Sequence, residues 1–166
     1  MTDGASEELC VLILQYNSAD ITLNLLESIV RHEGDNLSRY RVIVMDNASA
    51  DPKENEMTRR FPFIEFVGFD ENLGFAKAHN KIWPRITEKW VLLLNNDCLL
   101  LNDAINITLN KAMELDTDFA TCALFNKDMS PQINFHLSPL PTSTWKFFTH
   151  LLGLQGIVAR RLKVKK

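Results

Sequence analysis

The chain is poor in glycine and cysteine, has no long apolar run, and carries no acidic residue after Asp128. Each shortage excludes something. Only six glycines occur in 166 residues, and none form G-x-G-x-x-G or a Walker A loop. A dinucleotide fingerprint and a glycine-built phosphate cradle are therefore absent. The longest apolar runs are about five residues, such as Trp90 to Leu94. Crossing a bilayer takes roughly 20, so no transmembrane helix is expected. Cys10, Cys98 and Cys122 are odd in number and widely spaced, which gives neither a disulfide framework nor a zinc pattern. Buried thiols in a reducing cytoplasm are expected instead. The opening MTDGASEE is acidic and lacks the basic and apolar regions of a secretory signal, which again predicts a cytoplasmic setting.

What is present is ordinary for a globular protein. Apolar residues make up 46% and charged residues 23%, which rules out global disorder. The length suits one domain with a short tail. Charge is distributed unevenly. Residues 1–128 hold all 21 acids against 12 Lys and Arg, while residues 129–166 hold the other six basic residues and no acid. The acidic body argues against a dedicated nucleic-acid binder, and the basic tail needs its own account.

Short β-forming runs alternate with helical patterns. The apolar runs at 10–16, 41–45, 63–68 and 90–94 predict strands, and 118–124 predicts a fifth. After the first run, Ile21, Leu25, Leu26 and Ile29 recur at helical spacing, with Ser18 placed to cap. Asp51-Pro52 reads as a helix start with Pro at the first position. Asn72-Leu73-Gly74-Phe75 turns into a helix of about ten residues that carries Lys77 and Asn80. A last helix over about 103–114 puts Ile105, Leu109 and Met113 on one face. Alternation of this kind predicts an α/β fold: a mainly parallel, open, Rossmann-like sheet with helices on both faces.

Polar residues cluster just after each strand: Asn17, then Asp46 and Asn47, then Asn72, then Asn95, Asn96 and Asp97. In an open parallel sheet these ends share one edge, where such folds bind ligands. Carboxylates and amides suit ribose hydroxyls, base edges and a hard divalent cation. Several of these positions also have a purely structural reading. Asn47 and Asn72 suit turns, and Asp51, Asn102 and Asp103 suit helix caps. Asp97 differs: it follows a continuous apolar strand expected to be central and buried on both faces. A carboxylate at that rim must be solvated, paired or metal-bound.

The segments VLILQYNSAD, VIVMDNASAD, ENLGFAKAHN and VLLLNND, in this order and spacing, resemble the family 2 glycosyltransferases of the GT-A fold, in particular their rhamnosyltransferase-like branch. The match covers the donor-binding half, from residue 9 to about 116. The resemblance implies an inverting transfer of a sugar from a nucleoside diphosphate donor, in biosynthesis of a cell-surface polysaccharide or on a lipid-linked acceptor. It places Tyr16 and Asn17 near the nucleotide and Asp46, with Asn47, at the base or ribose. Asn72 and Gly74 would shape the pocket, and Lys77 and Asn80 would face the nucleotide. Asn95-Asn96-Asp97 stands at the metal motif D-x-D, with Asp97 as its one carboxylate, to hold Mg2+ or Mn2+ against the diphosphate. The sequence departs from the family at Gln15, where a small polar residue is frequent, at His79 and Lys81, and in having no carboxylate after Asp128 to serve as catalytic base. A non-catalytic transferase relative acting as a binding module is the alternative.

The division expected is a donor domain over 1–128 and a basic apolar tail over 129–166 that begins an acceptor-side region. Residues 145–166 mix apolar side chains with Lys146, Arg160, Arg161, Lys163, Lys165 and Lys166. Two readings stand side by side: a surface helix on anionic lipid at the inner face of the membrane, or a segment that packs against an acceptor half. Either would promote self-association where left exposed.

Overall fold

The computed structural model describes residues 8–132. The chain divides into two compact units, Met1–Cys122 and Ala123–Lys166. The first holds strands β1 (Leu9–Gln15), β2 (Tyr40–Asp46), β3 (Ile64–Gly68) and β4 (Trp90–Asn95). They form one parallel sheet in the order β3-β2-β1-β4. Between them run helices α1 (Ala19–Glu33), α2 (Glu54–Arg60) and α3 (Gly74–Ile82), and α4 (Ala104–Glu114) follows β4. In the second unit, Leu124–Phe125 (β5) and Pro131–Gln132 (β6) pair antiparallel. The basic stretch over 145–166 lies outside the described residues.

Strand alternation sorts the core into two layers. Leu9, Val11, Ile13, Val42 and Val44 face Leu23, Leu26 and Ile29 of α1, Met57 of α2, and Ile105 and Leu109 of α4. Cys10, Leu12, Ile43 and Met45 face the other way, onto Ala78 and Ile82 of α3 and onto Phe69. Helices therefore cover both faces, as expected of a doubly covered parallel sheet. Each fully buried Leu or Ile contributes about 1.5–3 kcal/mol by leaving water.

Several local expectations are corrected. β4 pairs only with β1 and is an edge strand among the described residues. Its Leu93 is 51% exposed, so continuous apolarity here does not mark a strand buried on both faces. Asp51-Pro52 does not start a helix; α2 begins at Glu54, after Lys53 in the left-handed region at φ 52°. The Pro52 carbonyl is held instead by the side chain of Gln15, and Asp51 accepts from the Lys53 amide in an Asx-turn. Ser18 makes no side-chain cap on α1; its hydroxyl accepts from Asn96. Asp103 precedes α4 without capping it. On α4 the inward face uses Ala112, and Met113 is exposed. Most of 118–124 is not strand, and Phe119 is 80% exposed. Of the three cysteines, Cys10 is buried while Cys122 is exposed.

Candidate donor site

Parallel register fixes the site before any side chain is considered. Gln15 at the end of β1 lies beside Asp46 at the end of β2. Leu14 lies beside Asn95 at the end of β4. Asp46 and Asn95 therefore flank β1 on one edge of the sheet, about 10 Å apart at two strand spacings.

On the β2 side the polar groups tie loops together. Gln15 Nε2 donates to Asp46 Oδ1 at 2.9 Å and to the Pro52 carbonyl at 3.0 Å. Asp46 Oδ2 accepts from the Ser49 amide at 2.8 Å. Asn17, in the left-handed region at φ 50°, donates its amide to Ser49 Oγ and accepts from the Ala50 amide through Oδ1. The result is a closed loop over 46–52, with Asp46 only 3% exposed at its base. Tyr16 stands exposed at the rim beside it. Gln15, met in the sequence only as a departure from a family pattern, is the residue that orients Asp46. Its position in an apolar strand was the signal, since a buried amide must find partners.

Asn47 and Asn72 are joined to each other and to the turn that enters α3. Asn47 Nδ2 donates to Asn72 Oδ1 at 2.8 Å, and Asn47 Oδ1 accepts from the Leu73 amide at 2.8 Å. Asn72 Oδ1 also accepts from the Gly74 amide. This clamp holds the start of α3 against β2. Gly74 sits at φ 71°, with open space where a Cβ would stand. Alanine there is therefore expected to cost about 1 kcal/mol through backbone strain alone, with no steric clash. Urea unfolding of Gly74→Ala measures it.

On the β4 side is an open cleft of about 180 Å³, lined by Leu14, Phe75, His79, Leu94, Asn95, Asn96 and Asp97. Asn96 is committed to the scaffold, donating to Ser18 Oγ at 2.8 Å and Thr22 Oγ1 at 3.0 Å. The side chains of Asn95 and Asp97 make no hydrogen bond among the described residues, and both residues are exposed. Phe75 and His79, one turn apart on α3, form the opposite wall. The sequence reading missed both as site residues; their spacing of four, on the turn of helix that follows Gly74, was the available signal. Lys77 and Asn80 are exposed on α3 but do not line the cleft, because 100° per residue carries them off the face of Phe75 and His79.

The donor set fits a weakly held hard cation. No group of three or more His, Cys, Asp or Glu gathers among the described residues. The cleft offers one carboxylate, Asp97, and the amide oxygen of Asn95. Burial, with help from Asp97 and Cys122, pushes the neighbouring Cys98 thiol up, and Cys98 does not line the cleft. An ion bound here would draw its remaining oxygens from substrate phosphates and water, the usual habit of Mg2+.

Comparison with known proteins agrees with this fold. In S. aureus TarS 1-349, solved in complex with UDP, the likeness has a TM-score of 0.60 at 18% identity, over 84% of this chain and 39% of that one. Mannosyltransferase PcManGT from Pyrobaculum calidifontis, in complex with GDP-Man and Mn2+, gives a TM-score of 0.57 at 22% identity, over 72% and 35%. At such identities the likeness speaks for the GT-A-like fold. The chain spans at most 39% of the length of these two proteins. No curated protein sequence matches significantly. The profile of Glycosyl transferase family 2 matches residues 10–158, most of the sequence and every element that builds the sheet edge, and the chain belongs to that family.

Proposed function

We propose that residues 1–128 form the donor domain of an inverting glycosyltransferase of the rhamnosyltransferase-like branch. In this reading the domain binds a nucleoside diphosphate sugar, with Mg2+ or Mn2+ at Asp97. The observation that carries it is the placement of an unpartnered carboxylate, Asp97, in a cleft on the same sheet edge as the Asp46 loop. Asp46, Asn17 and Tyr16 would meet the nucleoside, on the β2 side of β1. Asn47, Asn72 and Gly74 would hold the pocket's shape, and Asn96 would fix the turn that carries Asp97. Lys77 and Asn80 would face the nucleotide from outside the cleft. PcManGT, with GDP-Man and Mn2+, supports the pairing of sugar nucleotide and divalent ion.

When bound, the ion would neutralise charge developing on the diphosphate as the anomeric bond breaks. The protein's own part is to hold the donor: Asp97 and Asn95 supply oxygens to the ion, and Gln15 keeps Asp46 facing the nucleoside. An inverting displacement also needs a base for the acceptor hydroxyl. No Asp or Glu follows Asp128, so residues 129–166 hold no carboxylate that could serve as that base. The acceptor is proposed to be a cell-surface polysaccharide or a lipid-linked saccharide, reached at the inner face of the membrane through the basic region over 129–166. No helix among the described residues is long and apolar enough to cross a membrane.

Calorimetric titration with dTDP-rhamnose, UDP-glucose and GDP-mannose, in Mn2+ and in EDTA, tests the donor reading. One of the three is expected to bind in Mn2+ and at least tenfold more weakly in EDTA or to Asp97→Ala, a loss of about 1.4 kcal/mol. Equal binding by Asp97→Ala and wild type would remove the ion from Asp97. The absence of a carboxylate after Asp128 favours a second reading, a binding module without turnover. Donor hydrolysis or transfer by the chain itself would exclude that reading.

A further inference from the structure

The cleft wall on α3 contains a histidine whose hydrogen-bonding state is fixed by geometry. His79 Nδ1 lies 2.7 Å from the Phe75 carbonyl oxygen. A carbonyl only accepts, so the proton of the neutral ring sits on Nδ1. Nε2 is then left with a lone pair and has no partner among the described residues. It is also not among the fully buried orphan atoms, which are Gln15 Oε1 and Trp90 Nε1. His79 is 6% exposed, and it lines the cleft. The Phe75 ring packs beside the imidazole, with centroids 4.2 Å apart, and is itself 55% exposed. One wall of the cleft therefore offers an apolar ring and a single locked acceptor, while the other offers Asn95 and Asp97.

An apolar surface with a few fixed polar groups is the make-up of a small-ligand pocket. A neutral imidazole nitrogen with its tautomer set by the backbone accepts from a hydroxyl and repels another acceptor such as a phosphate oxygen or carbonyl. Position chooses among the donor's parts. The loop assigned to the nucleoside lies on the β2 side of β1, and the cleft lies on the β4 side, with Asp97 at its mouth. We infer that His79 is a specificity residue for the sugar, its Nε2 accepting a hydrogen bond from a sugar hydroxyl while Phe75 covers the sugar's C–H face. This rests on the donor reading above.

The test compares each nucleoside diphosphate with its sugar conjugate on the full chain in Mn2+, at about pH 8, where imidazoles as a class are neutral. UDP, dTDP and GDP are titrated beside UDP-glucose, dTDP-rhamnose and GDP-mannose, into wild type, His79→Leu and His79→Gln. His79→Leu is expected to leave nucleotide affinity within about twofold and to weaken the preferred sugar nucleotide about tenfold, the worth of one hydrogen bond. His79→Gln, whose amide oxygen can reach the position of Nε2, is expected to recover most of that loss. Equal affinity of His79→Leu and wild type for the sugar nucleotide would overturn the inference while leaving the donor reading intact. So would equal losses for nucleotide and sugar nucleotide, or a loss that His79→Gln does not relieve. Wild type binding none of the six ligands would overturn both.

Discussion

Glu33→Ala is expected to destabilise the fold by about 3 kcal/mol or more, the cost of breaking a buried charged network. Glu33 ends α1 and is fully buried. Its Oε1 accepts from the Ile105 amide at 2.8 Å and, more weakly, from the Asn106 amide at 3.4 Å. These are among the first amides of α4, which has no side-chain cap of its own. A carboxylate from another helix thus satisfies donors that a helix start leaves open, and sits at the positive end of its dipole. Oε2 accepts from the Tyr40 hydroxyl at 2.9 Å. Burial first, and then that bond to Glu33, push the Tyr40 hydroxyl well above its ordinary range. Alanine would leave the hydroxyl and two amides without a partner in a dry site, each costing about 1–3 kcal/mol in part, and would open a cavity. Because α4 buries only Ile105, Leu109 and Ala112 of its eleven residues, its helical signal should be the first lost on urea titration of the variant. Glu33→Gln retains an acceptor for the amides and should lose about 1 kcal/mol. An alanine variant within 1 kcal/mol of wild type, again by urea unfolding, would show that the network is not structural.

That role was not legible in the sequence, and the reason is physical. Glu33 and Ile105 are 72 residues apart, and cap rules read only neighbours along the chain. Asp103 looked like the cap because it stands where a local cap would stand. The sheet, by contrast, was legible, because four runs of β-branched and aliphatic residues with polar ends leave few other arrangements. The edge along which Asn17, Asp46, Asn72 and Asp97 gather followed from that alternation alone. What failed was inference from a single local feature. Asp51-Pro52 lost its helix start to the long-range bond from Gln15. Apolarity in β4 does not mean depth, because an edge strand carries it too. Residues 118–124 have the composition of a strand, but among the described residues only Leu124 pairs, with Gln132. Within the site, the amide and carboxylate side chains differ in where their hydrogen bonds go. Asn47, Asn72 and Asn96 spend theirs on loops, whereas Asn95, Asp97 and His79 Nε2 keep theirs open.

Gln15→Glu is expected to destabilise the protein by about 3 kcal/mol above neutral pH and to recover as the pH is lowered. The amide at Gln15 is 1% exposed and donates from one nitrogen to Asp46 Oδ1 and the Pro52 carbonyl. Both partners are acceptors, so the nitrogen must face them, and Oε1 is left buried without a bond. A carboxylate in its place presents only acceptors to two acceptors and sets a second negative charge against Asp46. One proton shared by the pair relieves this, because a protonated Glu at position 15 can donate to Asp46 as the amide does. Folding would then raise the pair's affinity for that proton above the unfolded value. A raised folded-state pKa gives stability that is complete below the unfolded value, near 4.3 for Glu, and is lost as pH rises through the folded one. Urea unfolding at intervals from about pH 5 to pH 8 should therefore show a widening gap between variant and wild type, at about 1.4 kcal/mol per pH unit over the steep part. Gln15→Leu separates charge from lost bonding: it also orphans Asp46 Oδ1 and the Pro52 carbonyl, but its deficit should not change with pH in that way. A Gln15→Glu deficit that is flat from pH 5 to 8 would mean that the new carboxylate escapes to water. The loop over 46–52 would then have opened, and Asp46 would no longer be fixed at the end of β2.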